Sequence, residues 1–181
     1  IAVYAERLGT PLDTAKILTS LTLSAMLVGY VLGILFIPKY ISQSKALLVS
    51  ALVAAICVCG IALTDPATTV PVWIFDLAAF EGRSVELPVT VCFVALLGLG
   101  NALMWPAIWP LAVNGIGSAL KTGSALLIMA ILGGALAMPV WTMMSGDKSV
   151  ISSQNAYWLL LPFYFFIGWY GRWGSKLVRW R

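Results

Sequence analysis

The 181-residue chain has no histidine, only three cysteines, and few charges: Asp, Glu, Lys and Arg together make up 10% of it. Cys57, Cys59 and Cys92 all lie in apolar stretches, so neither a disulfide framework nor a His/Cys metal set can be drawn. A Ser-His-Asp set is impossible, and no Gly-rich loop ends in Gly-Lys-Ser/Thr. Gly98-x-Gly100 and Gly115-x-Gly117 lack the strand that a nucleotide fold would place before them. These absences argue against a hydrolytic enzyme and against a nucleotide-driven pump. The reading is of a protein that is not an enzyme and carries no cofactor.

What the chain has in quantity is apolar sequence, 61% of its residues. Between flanking charges run five uncharged stretches, 17–38, 46–64, 87–120, 122–146 and 149–171, of 22, 19, 34, 25 and 23 residues. A helix needs about 20 apolar residues to cross about 30 Å of hydrocarbon. Helices rather than open strands follow, because lipid offers no partner for exposed backbone groups. The expected fold is all-α and polytopic, with spans at about 17–37, 46–64, 88–115, 122–144 and 153–171. Residues 1–16 read as the end of a further span plus an external loop, since Ile1-Ala-Val-Tyr-Ala5 is apolar up to Glu6. The apolar run 72–80 is too short to cross and reads as an interfacial helix or strap with Trp73 and Phe75 inserted.

Alternating the spans sorts the charges. One side holds Lys39, Lys45, Lys121, Arg172, Lys176, Arg179 and Arg181 and no acid. The other holds Arg7, Lys16, Arg83 and Lys148 with all seven acids. Lysine and arginine accumulate on the cytoplasmic side, which places the carboxy-terminus there. The tail, with Trp169, Trp173 and Trp180 among its cations, reads as an interface anchor to the lipid bilayer, not as a nucleic-acid patch.

The longest stretch carries Asn101-Ala-Leu-Met-Trp-Pro-Ala-Ile-Trp-Pro110 at mid-membrane depth. Asn101, Trp105 and Trp109 recur every four residues and share one face of a continuous helix. Pro106 and Pro110 each remove a backbone donor and free a carbonyl. For Asn101, an interhelical hydrogen bond and contact with a polar solute both fit. The hydroxyls Thr19, Ser20, Thr22 and Ser24 of the first span fit both close packing and a polar cavity. Gly133-Gly134 and Pro139 read as close packing and a bend, the recurrence Ala125, Met129, Gly133, Ala137 as a low-relief face, and the aromatic-rich fifth stretch as lipid-facing or peripheral. With no charge inside any span, the chain supplies no carboxylate for a proton relay of its own.

The run from Gly98 to Gly117, followed by Lys121-x-Gly-Ser and Met129-x-Ile-x-Gly133-Gly134, resembles the fucose/glucose-galactose proton symporter family of the major facilitator superfamily. That resemblance implies the carboxy-terminal half of a twelve-helix transporter, whose amino-terminal half is the partner this sequence lacks. It further implies a bacterial inner-membrane protein importing a neutral sugar, a hexose or 6-deoxyhexose, on a proton or other ion gradient. Trp105 falls on the family's aromatic-before-proline position and Asn101 on an amide of its glucose/galactose branch, with Met129 and Ser24 as further substrate-binding candidates. The fucose branch has Gly-Arg in its eighth helix where this chain has Gly29-Tyr30, so fucose-type charge pairing is not implied. The alternatives are a major facilitator transporter of another solute class, such as a drug or nucleoside exporter, and a non-transporting membrane scaffold subunit.

Overall fold

A computed structural model describes residues 2–9, 12–37, 39–76, 81–144, 146 and 150–177. Helices dominate them: α1 (Ala2–Arg7), α2 (Leu12–Phe36), α3 (Gln43–Leu63), α4 (Val89–Ala102), α5 (Met104–Val113), α6 (Leu120–Met129), α7 (Leu132–Met144), α8 (Val150–Asn155) and α9 (Leu160–Arg172). Among the described residues, three helices are long and apolar enough to cross a membrane: Leu18–Phe36, Gln43–Leu63, and Val89–Val113, which joins α4 and α5. The chain is a helical, polytopic membrane protein. Stretch 122–144 folds as α6 and α7, separated at Ala130-Ile131. Stretch 153–171 holds the end of α8, a 3₁₀ turn at 156–159 and most of α9.

The bundle is assembled through glycine. Gly98 and Gly100 lie two residues apart on α4 and so face nearly opposite ways. A Cβ on Gly98 would meet the Thr22 carbonyl of α2 at 2.6 Å, and one on Gly100 would meet the Ala54 Cβ of α3 at 3.0 Å. Helix α4 is therefore the middle layer between α2 and α3. From α2, Gly29 answers with a would-be Cβ 2.6 Å from that of Ala102, and Gly33 closes against the Leu103 side chain. The other side of α3 receives α9, where Gly168 faces Leu48 and Ala51 at 3.6 and 3.7 Å and Gly171 faces the Ser44 carbonyl at 3.2 Å. Lipid tails are as apolar as leucine, so this backbone-close contact is what drives association. Thr22 spends its hydroxyl within its own helix, donating to the Leu18 carbonyl at 3.1 Å.

The ends of α3 are satisfied by side chains. Ser42 Oγ accepts from the Lys45 N–H at 3.4 Å. At the other end, carbonyls that have run out of intrahelical partners are met by Gln154, whose Nε2 donates to Ile61 O at 2.5 Å and Thr64 O at 2.6 Å. Gln154 is buried. Gln154→Leu keeps the volume and strands both carbonyls, a cost of about 1–3 kcal/mol. The expected result is a lower thermal unfolding midpoint of the detergent-solubilised protein, read by intrinsic fluorescence, with the assembled size on gel filtration unchanged.

Three expectations are corrected. The run 72–80 is not a helix or strap where it is described: Thr69–Asp76 (β1) and Glu81–Pro88 (β2) pair as an antiparallel hairpin, with Val72 opposite Val85 and Trp73 opposite Ser84. Residues 77–80, and the side chain of Phe75, lie outside what is described. β-Branched and aromatic residues in β1, and Val85 and Leu87 alternating with Ser84 and Glu86 in β2, favour a pleated pair. Outside the hydrocarbon its edges can bond to water. Trp73 is exposed, with its ring over Gly82, where any side chain would collide with the indole. The glycine face on α7 is not a packed one at Gly133 among the described residues, none of which lies within 4 Å of a Cβ built there. Nor is α9 wholly lipid-facing. Phe163, Phe165, Phe166 and Trp169 are exposed, but Tyr164, Gly168 and Gly171 form a buried stripe against α3.

Candidate functional site

The membrane-length helix Val89–Val113 is interrupted at Leu103, between the two side chains singled out from sequence. Pro106 has no N–H to offer Ala102 O, and its ring crowds that carbonyl. Hydrogen bonding resumes with the Ala107 N–H on Leu103 O at 3.0 Å. The interruption falls between Asn101 and the Trp105–Trp109 pair. Trp105 and Trp109 stay together, with ring centroids 5.9 Å apart and planes at 58°. Asn101 turns instead toward α9, where Tyr164 Oη donates to its Oδ1 at 3.0 Å.

That hydrogen bond orients the amide. Asn101 is half-buried and Tyr164 is 8% exposed. The amide keeps its two N–H donors and a second lone pair on the oxygen at the point where the span breaks. Trp105 presents 40% of its surface. An amide and an exposed indole on either side of the break are the group types that suit a polar solute with hydroxyls and an apolar face.

Met129, at the end of α6, is 61% exposed. Ser24 is exposed on α2. At roughly 100° per residue it lies on the side of α2 opposite the stripe Thr22, Met26, Gly29, Gly33, all of which meet α4 or the Leu103 junction. Asn101 and Trp105 thus flank the break at Leu103, while Met129 and Ser24 lie on other helices.

Sequence reasoning missed three features. Tyr164 was hidden among aromatics, although Tyr157, Tyr164, Gly168 and Gly171 recur at helical spacing. Beside Leu103 a cleft of about 380 Å³ opens between α2 and α5, lined by Tyr30, Gly33, Ile34, Gln43, Leu103 and Pro106 among others. At the opposite end of the bundle from Lys45, Arg7 joins α1 to two further helices. Its guanidinium donates to buried Ser153 Oγ of α8 and lies 4.8 Å from the ring centre of Trp141 on α7. Tyr157 meets Tyr4 and Trp141 edge-on at 5.4 and 6.2 Å. Arg7, expected to sit in an external loop, closes α1 and holds it.

No family model matches the chain, and no solved structure matches it. It is similar to glucose/galactose transporters from two strains of Brucella abortus, each 30% identical over 138 residues, which is 76% of this chain. The matched segment spans 28% of the length of those relatives.

Proposed function

We propose that this chain is the carboxy-terminal part of a sugar transporter that works by alternating access. The observation that carries this reading is the 138-residue similarity to glucose/galactose transporters. The substrate is a neutral hexose or 6-deoxyhexose, held between this part and an amino-terminal half and exposed to each side in turn. On this reading all five apolar stretches cross the membrane, the fourth and fifth as interrupted helices. The protein sits in a bacterial inner membrane with its carboxy-terminus in the cytoplasm. Import is driven by a proton gradient whose carboxylate lies in the other half, since the spans here carry none.

The roles follow from the interrupted span. Asn101, its oxygen held by Tyr164, donates to sugar hydroxyls. Trp105 offers its indole to the apolar face of the ring. Met129 and Ser24 lie on other helices, and only their helix and depth, not their position in the bundle, connect them with the substrate. A helix broken at membrane depth is tolerated where the freed backbone lines a cavity or meets protein, and both proline positions suit that.

The test is uptake of labelled glucose, galactose and fucose by proteoliposomes holding the full-length protein, with and without an inward proton gradient. Gradient-stimulated accumulation of at least one sugar is expected. Transport of a drug or nucleoside with no sugar uptake would move the protein to another solute class, and inert liposomes with correctly folded protein would leave the scaffold reading.

A further inference from the structure

Lys45 in the first turn of α3 and Arg172 in the last turn of α9 lie at the same end of the bundle, because Gly171 closes on Ser44 there. This is the end whose charges are all basic in the sequence. Here a groove of about 530 Å³ separates the start of α6 from the end of α9. Ala112, Ile116, Thr122, Leu126, Tyr170 and Leu177 are among its lining residues. Lys121 and Lys176, both exposed, immediately precede the lining residues Thr122 and Leu177.

We propose that this groove binds one anionic phospholipid, with an acyl chain between α6 and α9 and its phosphate between Lys121 and Lys176. The lining favours an apolar occupant, and the charged residues next to it in the chain, Lys121 and Lys176, favour a negative one. A basic recess between transmembrane helices on the side rich in Lys and Arg is the physical form of an anionic headgroup site. A helix is the poorer occupant. At about 10–12 Å across and 5.4 Å per turn, little more than one turn would fill the volume. A second copy of this chain would also bring the same positive end against it. The inference rests on the proposed reading that the stretches holding α6 and α9 cross the membrane, and not on which solute is carried.

The test is native mass spectrometry of the full-length protein in detergent, titrated with phosphatidylglycerol or with phosphatidylcholine of identical chains. Phosphatidylglycerol is expected to be retained on the order of tenfold more strongly, from two cations acting on one headgroup. K121Q/K176Q should erase that preference and K121R/K176R should keep it. Thr122→Trp, which fills the groove and leaves the charges alone, should weaken retention of both lipids. Gel filtration of each variant separates lost binding from lost folding. Equal retention of the two lipids overturns the proposal, as does a preference that survives K121Q/K176Q or Thr122→Trp. Dimers that grow as lipid is stripped, with no lipid preference, would assign the groove to a second copy instead.

Discussion

Gly98→Leu is expected to abolish accumulation of folded protein, the largest effect of any single change in the described bundle. A Cβ at this position already lies 2.6 Å from the Thr22 carbonyl and 2.9 Å from Thr22 Cγ2. The first of these obstacles is backbone, so no side-chain rotation can relieve it. Moving α2 away would break the approaches at Gly29 and Gly33, and α4 cannot retreat because Gly100 already lies against Ala54. Overpacking of a tight core typically costs about 1–3 kcal/mol. Three close helix approaches disturbed together place this substitution at or above the upper end. The check is fluorescence-detected gel filtration of a tagged full-length protein, where the folded peak should disappear. Gly133→Ala is the internal control. With none of the described residues within 4 Å of its Cβ, it should keep the peak and gain up to about 1 kcal/mol from helix propensity.

The second large effect is on transport. Asn101→Ala and Trp105→Ala should each reduce hexose uptake at least tenfold while leaving the folded peak. Losing one hydrogen bond to a hydroxyl is worth about 1 kcal/mol, and leaving its partner unpaired adds about 1–3 kcal/mol. The folded state should survive, because Trp105 is substantially exposed and Asn101 contributes a single interhelical bond, worth about 0.6–1.7 kcal/mol in membranes. Tyr164→Phe separates orientation from contact. It removes the donor that holds the amide oxygen and nothing that reaches the sugar, so KM should rise while uptake at saturating sugar persists. Unchanged uptake by both alanine variants, with normal protein levels, would remove this pair from the substrate path.

The helical membrane character was legible because charge is so sparse. Intervals such as 46–64 between Lys45 and Asp65 leave one physical option in lipid, and Gln43–Leu63 occupies that interval as one helix. The hairpin Thr69–Asp76 with Glu81–Pro88 was not read, because its identity lies in the register of two segments. Composition alone shows only that Val72-Trp-Ile-Phe75 is apolar. The division of stretch 122–144 at Ala130-Ile131 has no signal in the residues that form it, since Ala130 is a strong helix former and Gly133-Gly134 lie inside α7. For the site, Asn101, Trp105 and both prolines stood out because polar and helix-breaking residues at membrane depth are costly. Tyr164 did not, since its value depends on which face of α9 meets α3, and the aromatics around it supplied every face equally.

If the proposed site is correct, Trp105 faces water at membrane depth and not lipid. Trp105→Cys in a full-length background with Cys57, Cys59, Cys92 and any other native cysteines replaced tests it directly. The account predicts that a membrane-impermeant, water-soluble maleimide labels the thiol in intact vesicles. Labelling only by a lipid-soluble reagent, with the water-soluble one excluded from both sides, would contradict it.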